Sequence, residues 1–139
     1  MVHALQETWR VLVSHGILID VRPISGDAQL EIITHERSES TGIVDMSPGI
    51  ASDIAADDAI NDVIQKGAFK NLEMEERFDV SYYWTTVEEM KAYVDDKWKN
   101  DAILSDDVVN KAQTLFNNHR AEAGVRIRFQ MKLIKLEKR

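Results

Sequence analysis

The chain has 139 residues, room for one domain, and its 44% hydrophobic and 29% charged composition is that of an ordinary globular protein. Twenty-four acidic against 17 basic residues give a net charge of -7, which weighs against a general nucleic-acid or anionic-membrane binder. The absence of cysteine excludes a disulfide scaffold, a thiolate nucleophile and a thiolate metal site.

Leu5, Trp9 and Leu12 recur at helical spacing, and Gly16 suits the position just past a helix end. This amphipathic start contains Glu7 and lacks the uniform apolar core of a signal peptide. No run along the chain reaches the ~18–20 apolar residues of a membrane span, so a cytoplasmic protein with no membrane partner is expected. Ile17 to Val21 is a short, nearly all-apolar run that fits a strand buried on both faces, as in a parallel sheet. Arg22, Pro23 and the Ser25-Gly26 pair end it.

Leu30, Ile32 and Ile33 begin a second strand and Ile43 to Met46 forms a third, with Arg37 to Thr41 as the turn of a hairpin. Ser47-Pro48 reads as a helix start, with Ser47 as the cap. The helix runs to about Lys66 and stops at Gly67, with Ile50, Ile54, Ile60, Val63 and Ile64 as its apolar face. From Leu72 to Trp84 apolar residues hold the even positions, the period of a strand with one buried and one wet face. So long a strand predicts a bend near Glu76, where the apolar face is interrupted.

Thr86-Val87-Glu88-Glu89 is a capping box, with Met90, Val94 and Trp98 as the buried stripe of the helix it opens. Ser105 caps a further helix, and Gly124 ends that connection. Val125 to Leu133 alternates apolar with basic residues, and Ile134 and Leu136 then change parity, which predicts a bulge near Leu133. The two long strands, separated by the helices, can pair antiparallel.

The four histidines share no ligand spacing, and no metal site is expected. Asp53, Asp57, Asp58 and Asp62 read as a solvated helix face in preference to a cation site. Tyr82 and Trp84 share one strand face, with Tyr83 opposite. They suit either an aromatic-lined ligand pocket or, the reading preferred here, core packing plus one interface ring. Residues 124–139 carry +5 within a chain of net -7. Cross-sheet pairing with Glu73, Glu75 and Asp79 explains that basic stripe more simply than RNA, because no aromatic residues interleave it. No Gly-x-Ser-x-Gly elbow and no phosphate loop is present.

Several stretches together resemble one family. Arg10-Val11-Leu12 followed by Ile17 to Asp20 is similar to the helix-to-fifth-strand junction of class I S-adenosylmethionine-dependent methyltransferases, with Ser14-His15-Gly16 in place of the family's Pro-Gly-Gly turn. Pro48 to Lys66 with Gly67-Ala68-Phe69 resembles the helix and start of the sixth strand. Phe78 to Trp84 with Thr85 to Met90 resembles the strand and helix that follow, and the closing strand would be the seventh.

The family's Gly-rich cofactor loop has no counterpart, since the chain holds no Gly-x-Gly. The resemblance thus implies the C-terminal half of such a domain, without its cofactor-binding half. The expected fold is α/β or α+β, one domain with a partial, mixed sheet of about four or five strands, packed helices and an inserted hairpin.

In the family the fifth strand pairs with the fourth. Here its equivalent would have an open edge, to be covered by the hairpin or by a second subunit. A non-catalytic assembly or binding module follows, a homodimer or the partner of a separate cofactor-binding subunit. No catalytic or cofactor residue is assigned, and no cofactor is expected. One alternative is an S-adenosylmethionine-dependent methyltransferase with a pocket shared between subunits. Arg22 (a carboxylate or phosphate anchor, or a partner of Asp20), His35 (a candidate general base), Tyr82 and Trp84 would line it. The other alternative is a small-ligand binding protein.

Overall fold

The computed structural model describes residues 2–24 and 26–139, and the side chain of Met74 lies outside the description. The elements are α1 (Val2–Val11), β1 (Ile17–Pro23), β2 (Ala28–Ile33), β3 (Ser38–Val44), a 3-10 turn (Ser47–Gly49), α2 (Ile50–Gln65), β4 (Phe69–Trp84), α3 (Val87–Lys97), α4 (Asp106–Asn118) and β5 (Gly124–Lys138). The fold is α+β, as expected, and the five strands hydrogen-bond through β5. The residues group into two units, one of 1–24, 51–78 and 131–139, the other of 25–50 and 79–130.

In the first unit β1 pairs antiparallel with β5, from Ile17 opposite Glu137 to Pro23 opposite Met131. Leu5 of α1, Ala59, Ile60 and Val63 of α2, Phe69 and Leu136 form its core. The parallel, doubly buried setting expected for Ile17 to Val21 is not found. Burial alternates along β1: Ile17, Ile19 and Val21 are exposed, while Leu18, Asp20 and Arg22 are half-buried. The half-buried face thus carries Leu18 with the charged Asp20 and Arg22, and the aliphatic Ile17, Ile19 and Val21 lie on the exposed one. Ser25, read as part of the turn that ends this strand, lies outside the described residues.

The left-handed residue between α1 and β1 is His15 (φ 61°), not Gly16. Its Nδ1 lies 2.8 Å from Glu137 Oε1, so the turn is held by a side chain of the neighbouring strand. Gly67 ends α2 as expected. It takes φ 74°, and the amides of Gly67 and Ala68 donate back to the carbonyls of Ile64 and Val63 at 3.0 and 3.1 Å. Ile54, assigned above to the apolar face of α2, is 53% exposed.

β4 runs unbroken past Glu76, where a bend was expected. The irregularity is three residues earlier, where Glu73 takes φ 56° and its amide donates to Asn71 Oδ1 at 2.9 Å. A positive φ in a strand rotates the side chains that follow it. Phe69, on an odd position before it, is buried, and Tyr82 and Trp84, on even positions beyond it, share a face.

In the second unit β2 pairs antiparallel with residues 124–128 of β5 and with β3. Its core joins Leu30 and Ile32 of β2, Val44, Met90 and Val94 of α3, Ala112 and Phe116 of α4, and Val125 and Ile127 of β5. The hairpin turns at residues 34–37, earlier than expected. Thr34 N donates to Arg37 O at 2.8 Å, and the Thr34 hydroxyl accepts the Glu36 and Arg37 amides. Ser38 and Ser40, which read as turn residues, lie instead on β3 and donate to Glu31 and Gln29 across the strands.

A register shift between Leu30 and Glu31 leaves Thr41 as the extra residue of β3. Next to it Gly42 takes φ 146°, and a Cβ there would lie 2.8 Å from Val108 of α4. No bulge occurs at Leu133, which sits in an unbroken ladder opposite Val21. The change of parity in β5 reflects a change of core: Val125 and Ile127 are buried in the second unit, Leu136 in the first.

Ser47 does not cap a helix. Its amide donates to Asp45 Oδ1 at 2.8 Å, and Pro48 lies in the 3-10 turn that precedes α2. The other two caps form as expected. Thr86 Oγ1 accepts the Glu89 amide at 3.1 Å, and Ser105 Oγ accepts the Val108 amide at 3.4 Å.

Phe69 fills the first core at 1% exposure, whereas Phe78 on the same strand is 39% exposed. Phe69→Ala is expected to cost about 3–5 kcal/mol in urea unfolding, and Phe78→Ala less than about 1.5 kcal/mol. Equal losses would contradict this placement of the core.

Candidate functional site

The charged side chains of β5 organise the polar groups of each unit. In the first, Lys132 donates from Nζ to Asp57 Oδ1 of α2 at 2.6 Å. Arg22 of β1, directly opposite Lys132 in the ladder, donates from Nη2 to the same oxygen at 2.8 Å and from Nε to Asp20 at 2.6 Å. Two cations thus meet two carboxylates, and only Asp57 of the four is more than a fifth exposed, at 43%. Burial alone would raise the Asp57 carboxyl, but the hydrogen bonds and charges of Lys132 and Arg22 outweigh it and hold it below the ordinary value. Asp57, though 43% exposed, therefore anchors α2 over the strands and is not simply part of the solvated face its acidic run suggested. Asp62 pairs with Lys66 at 2.7 Å.

In the second unit Glu31 of β2 is 7% exposed at its side chain and lies between two arginines of β5. Arg126 Nε donates to it at 2.8 Å and Arg128 Nη2 at 3.3 Å, while Ser38 Oγ donates at 3.2 Å. Arg128 also reaches Asp79 of β4 at 2.9 Å. Burial pushes the Glu31 carboxyl upward, and the two arginines overcome that and hold it low. Tyr83, 60% exposed, is held below the usual phenol range by hydrogen bonding with Arg126 and Ser81.

Of the three carboxylates expected opposite the basic stripe, Asp79 is a partner. Glu75 pairs with Arg77 instead, and Glu31 takes the central place. The signal for Glu31 was an acidic residue inside the otherwise apolar Leu30 to Ile33 run, facing a strand with surplus positive charge.

The four residues singled out for a ligand fall in different units. Arg22 belongs to the first unit, and His35, Tyr82 and Trp84 to the second. His35 is exposed in the hairpin turn. Tyr82 and Trp84 do share a face, with ring centroids 6.0 Å apart and planes at 17°. Trp98 meets Tyr82 edge-on at 5.3 Å, Phe129 stacks on it at 5.9 Å, and Tyr93 lies against Trp84 at 5.4 Å. The rings pack on one another, the arrangement preferred from the sequence.

A separate cleft of about 280 Å³ opens in the first unit, lined mainly by Leu5, Trp9, Val63, Ala68 and Phe69, with the Asp62–Lys66 pair on its wall. Its chemistry suits a small apolar molecule. Among the described residues no group of three or more acidic or histidine side chains converges as a metal site. No family model, no curated protein and no solved structure matches this chain.

A carboxyl held low contributes stability above its ordinary pKa of about 4, and that contribution is lost as pH falls through the lowered folded value. Folding free energy should therefore decline below pH ~4. Glu31→Gln should cost about 2–3 kcal/mol at pH 7 and flatten the decline. A variant with wild-type stability and an unchanged acid profile would contradict the assigned role of Glu31.

Proposed function

We propose that this chain is a non-catalytic assembly module that works as a homodimer, built on the C-terminal half of a methyltransferase-like domain. The observation that carries the reading is β1. Its only strand partner among the described residues is β5, so its other edge is unpaired. The hairpin, one of the two covers considered above, pairs with β5 and not with β1. Ile17, Ile19 and Val21 are 39%, 56% and 45% exposed along this strand, and Val11 and Val13 just before it are 65% and 75% exposed. An apolar edge strand in water is a site of association.

The non-catalytic part of the reading rests on Arg22. Its charge is met by the carboxylates of Asp20 and Asp57, through Nε and Nη2, instead of by a ligand. No step is assigned to S-adenosylmethionine. The small-ligand reading has one observation in its favour, the apolar cleft beside Trp9 and Phe69. An apolar molecule retained in native mass spectrometry, and lost when the exposed cleft-lining residue Gln6 is enlarged in Gln6→Trp, would give that cleft a role.

Sedimentation equilibrium should show a dimer at micromolar concentration, and calorimetric titration with S-adenosylmethionine no saturable heat. A monomer throughout that range would overturn the homodimer and favour a separate subunit as partner. Micromolar cofactor binding would overturn the non-catalytic reading in favour of a methyltransferase.

A further inference from the structure

The homodimer reading can be taken to a specific interface. Lys138 N donates to Gly16 O at 2.9 Å, which continues the β1–β5 ladder by one hydrogen-bonded pair. Hydrogen-bonded and non-bonded pairs alternate along an antiparallel ladder. Leu18, Asp20 and Arg22 therefore direct their backbone groups toward β5. Ile17, Ile19 and Val21 direct theirs outward, to the open edge. The same three residues carry the exposed side chains.

Within that stretch no basic residue and no proline blocks the edge. Asp20 and Arg22 turn to the opposite face, where they bond each other and Asp57. Pro23, which has no amide, ends the pairing surface.

We propose that the occupant of this edge is β1 of a second copy, running antiparallel about a twofold axis at Ile19. This deepens the homodimer reading and rests on it. Ile17 then faces Val21 of the second copy, and Ile19 faces its own equivalent. The three outward residues of each chain supply about six backbone hydrogen bonds. The sequence is suited to this symmetry because Ile17 and Val21 are equidistant from Ile19, so aliphatic side chains meet on one face at every outward position.

A shift that centres the axis on Asp20 is disfavoured. It sets two carboxylates directly opposite each other and brings Pro23 opposite Ile17, where one donor is missing. The Ile19-centred register leaves Asp20 opposite Leu18. With a second copy, every outward position of one chain meets an aliphatic residue of the other, identically for both chains.

The wild-type chain has no cysteine, so Ile19→Cys introduces a single thiol. In the proposed pair the two Cα atoms lie about 5.5 Å apart, within disulfide range. Mild oxidation at micromolar concentration should convert most of this variant to a covalent dimer. Ser52→Cys, exposed on α2, should stay at least tenfold less cross-linked.

Ile19→Lys, which places two ammonium groups at the axis, should weaken dimerisation at least tenfold with an unchanged circular dichroism spectrum. If this variant does not fold, the cross-linking result decides. A wild-type dimer in which Ile19→Cys cross-links no faster than Ser52→Cys overturns the strand interface and leaves the homodimer standing. A wild-type monomer overturns both.

Discussion

The positive charges of β5 impose the main constraint. Arg126, Arg128 and Lys132 project from a strand whose other residues form parts of two cores, so their charges are partly withdrawn from water. A half-buried cation is tolerated only beside a carboxylate. Glu31 of β2, Asp79 of β4 and Asp57 of α2 meet that need, and each ties its own element to β5. The acidic surplus of the chain is thus used in part as the counter-charge of one strand. Arg22 is drawn into the same chemistry through its Nε and Nη2.

With the cations paired, the apolar residues left outside the cores become informative. Most exposed apolar side chains have an ordinary explanation, since a folded surface is always partly apolar. β1 is different because its exposed side chains and its unpaired backbone groups belong to the same three residues. Symmetric strand pairing satisfies both together. The open edge of β1 was expected from a family resemblance, but the structural case for pairing stands on the ladder, the exposures and the spacing alone.

Much of the fold was legible because local signals dominated. The capping residues Thr86 and Ser105, the stop at Gly67 and the period-two pattern around Tyr82 are each set by a few neighbouring residues. What escaped the sequence depended on distant partners. Ser38 and Ser40 read as turn residues because nothing local shows that Glu31 and Gln29 lie opposite them. The nearly all-apolar run at Ile17 to Val21 suggested burial on both faces, because nothing local shows that this strand lies at the edge of the sheet. The parity change in β5 read as a bulge because a change of core produces the same pattern. At the site, Tyr82 and Trp84 were rightly placed on one face, while the role of Glu31 needed the partner strand to be known.

The most direct test of self-association through β1 is residue-resolved amide hydrogen exchange at two protein concentrations. Leu18, Asp20 and Arg22 should be protected at both, because they bond to β5. Ile17, Ile19 and Val21 should exchange rapidly in dilute protein and slow markedly when the concentration is raised. Rapid exchange of those three amides at both concentrations would contradict the account.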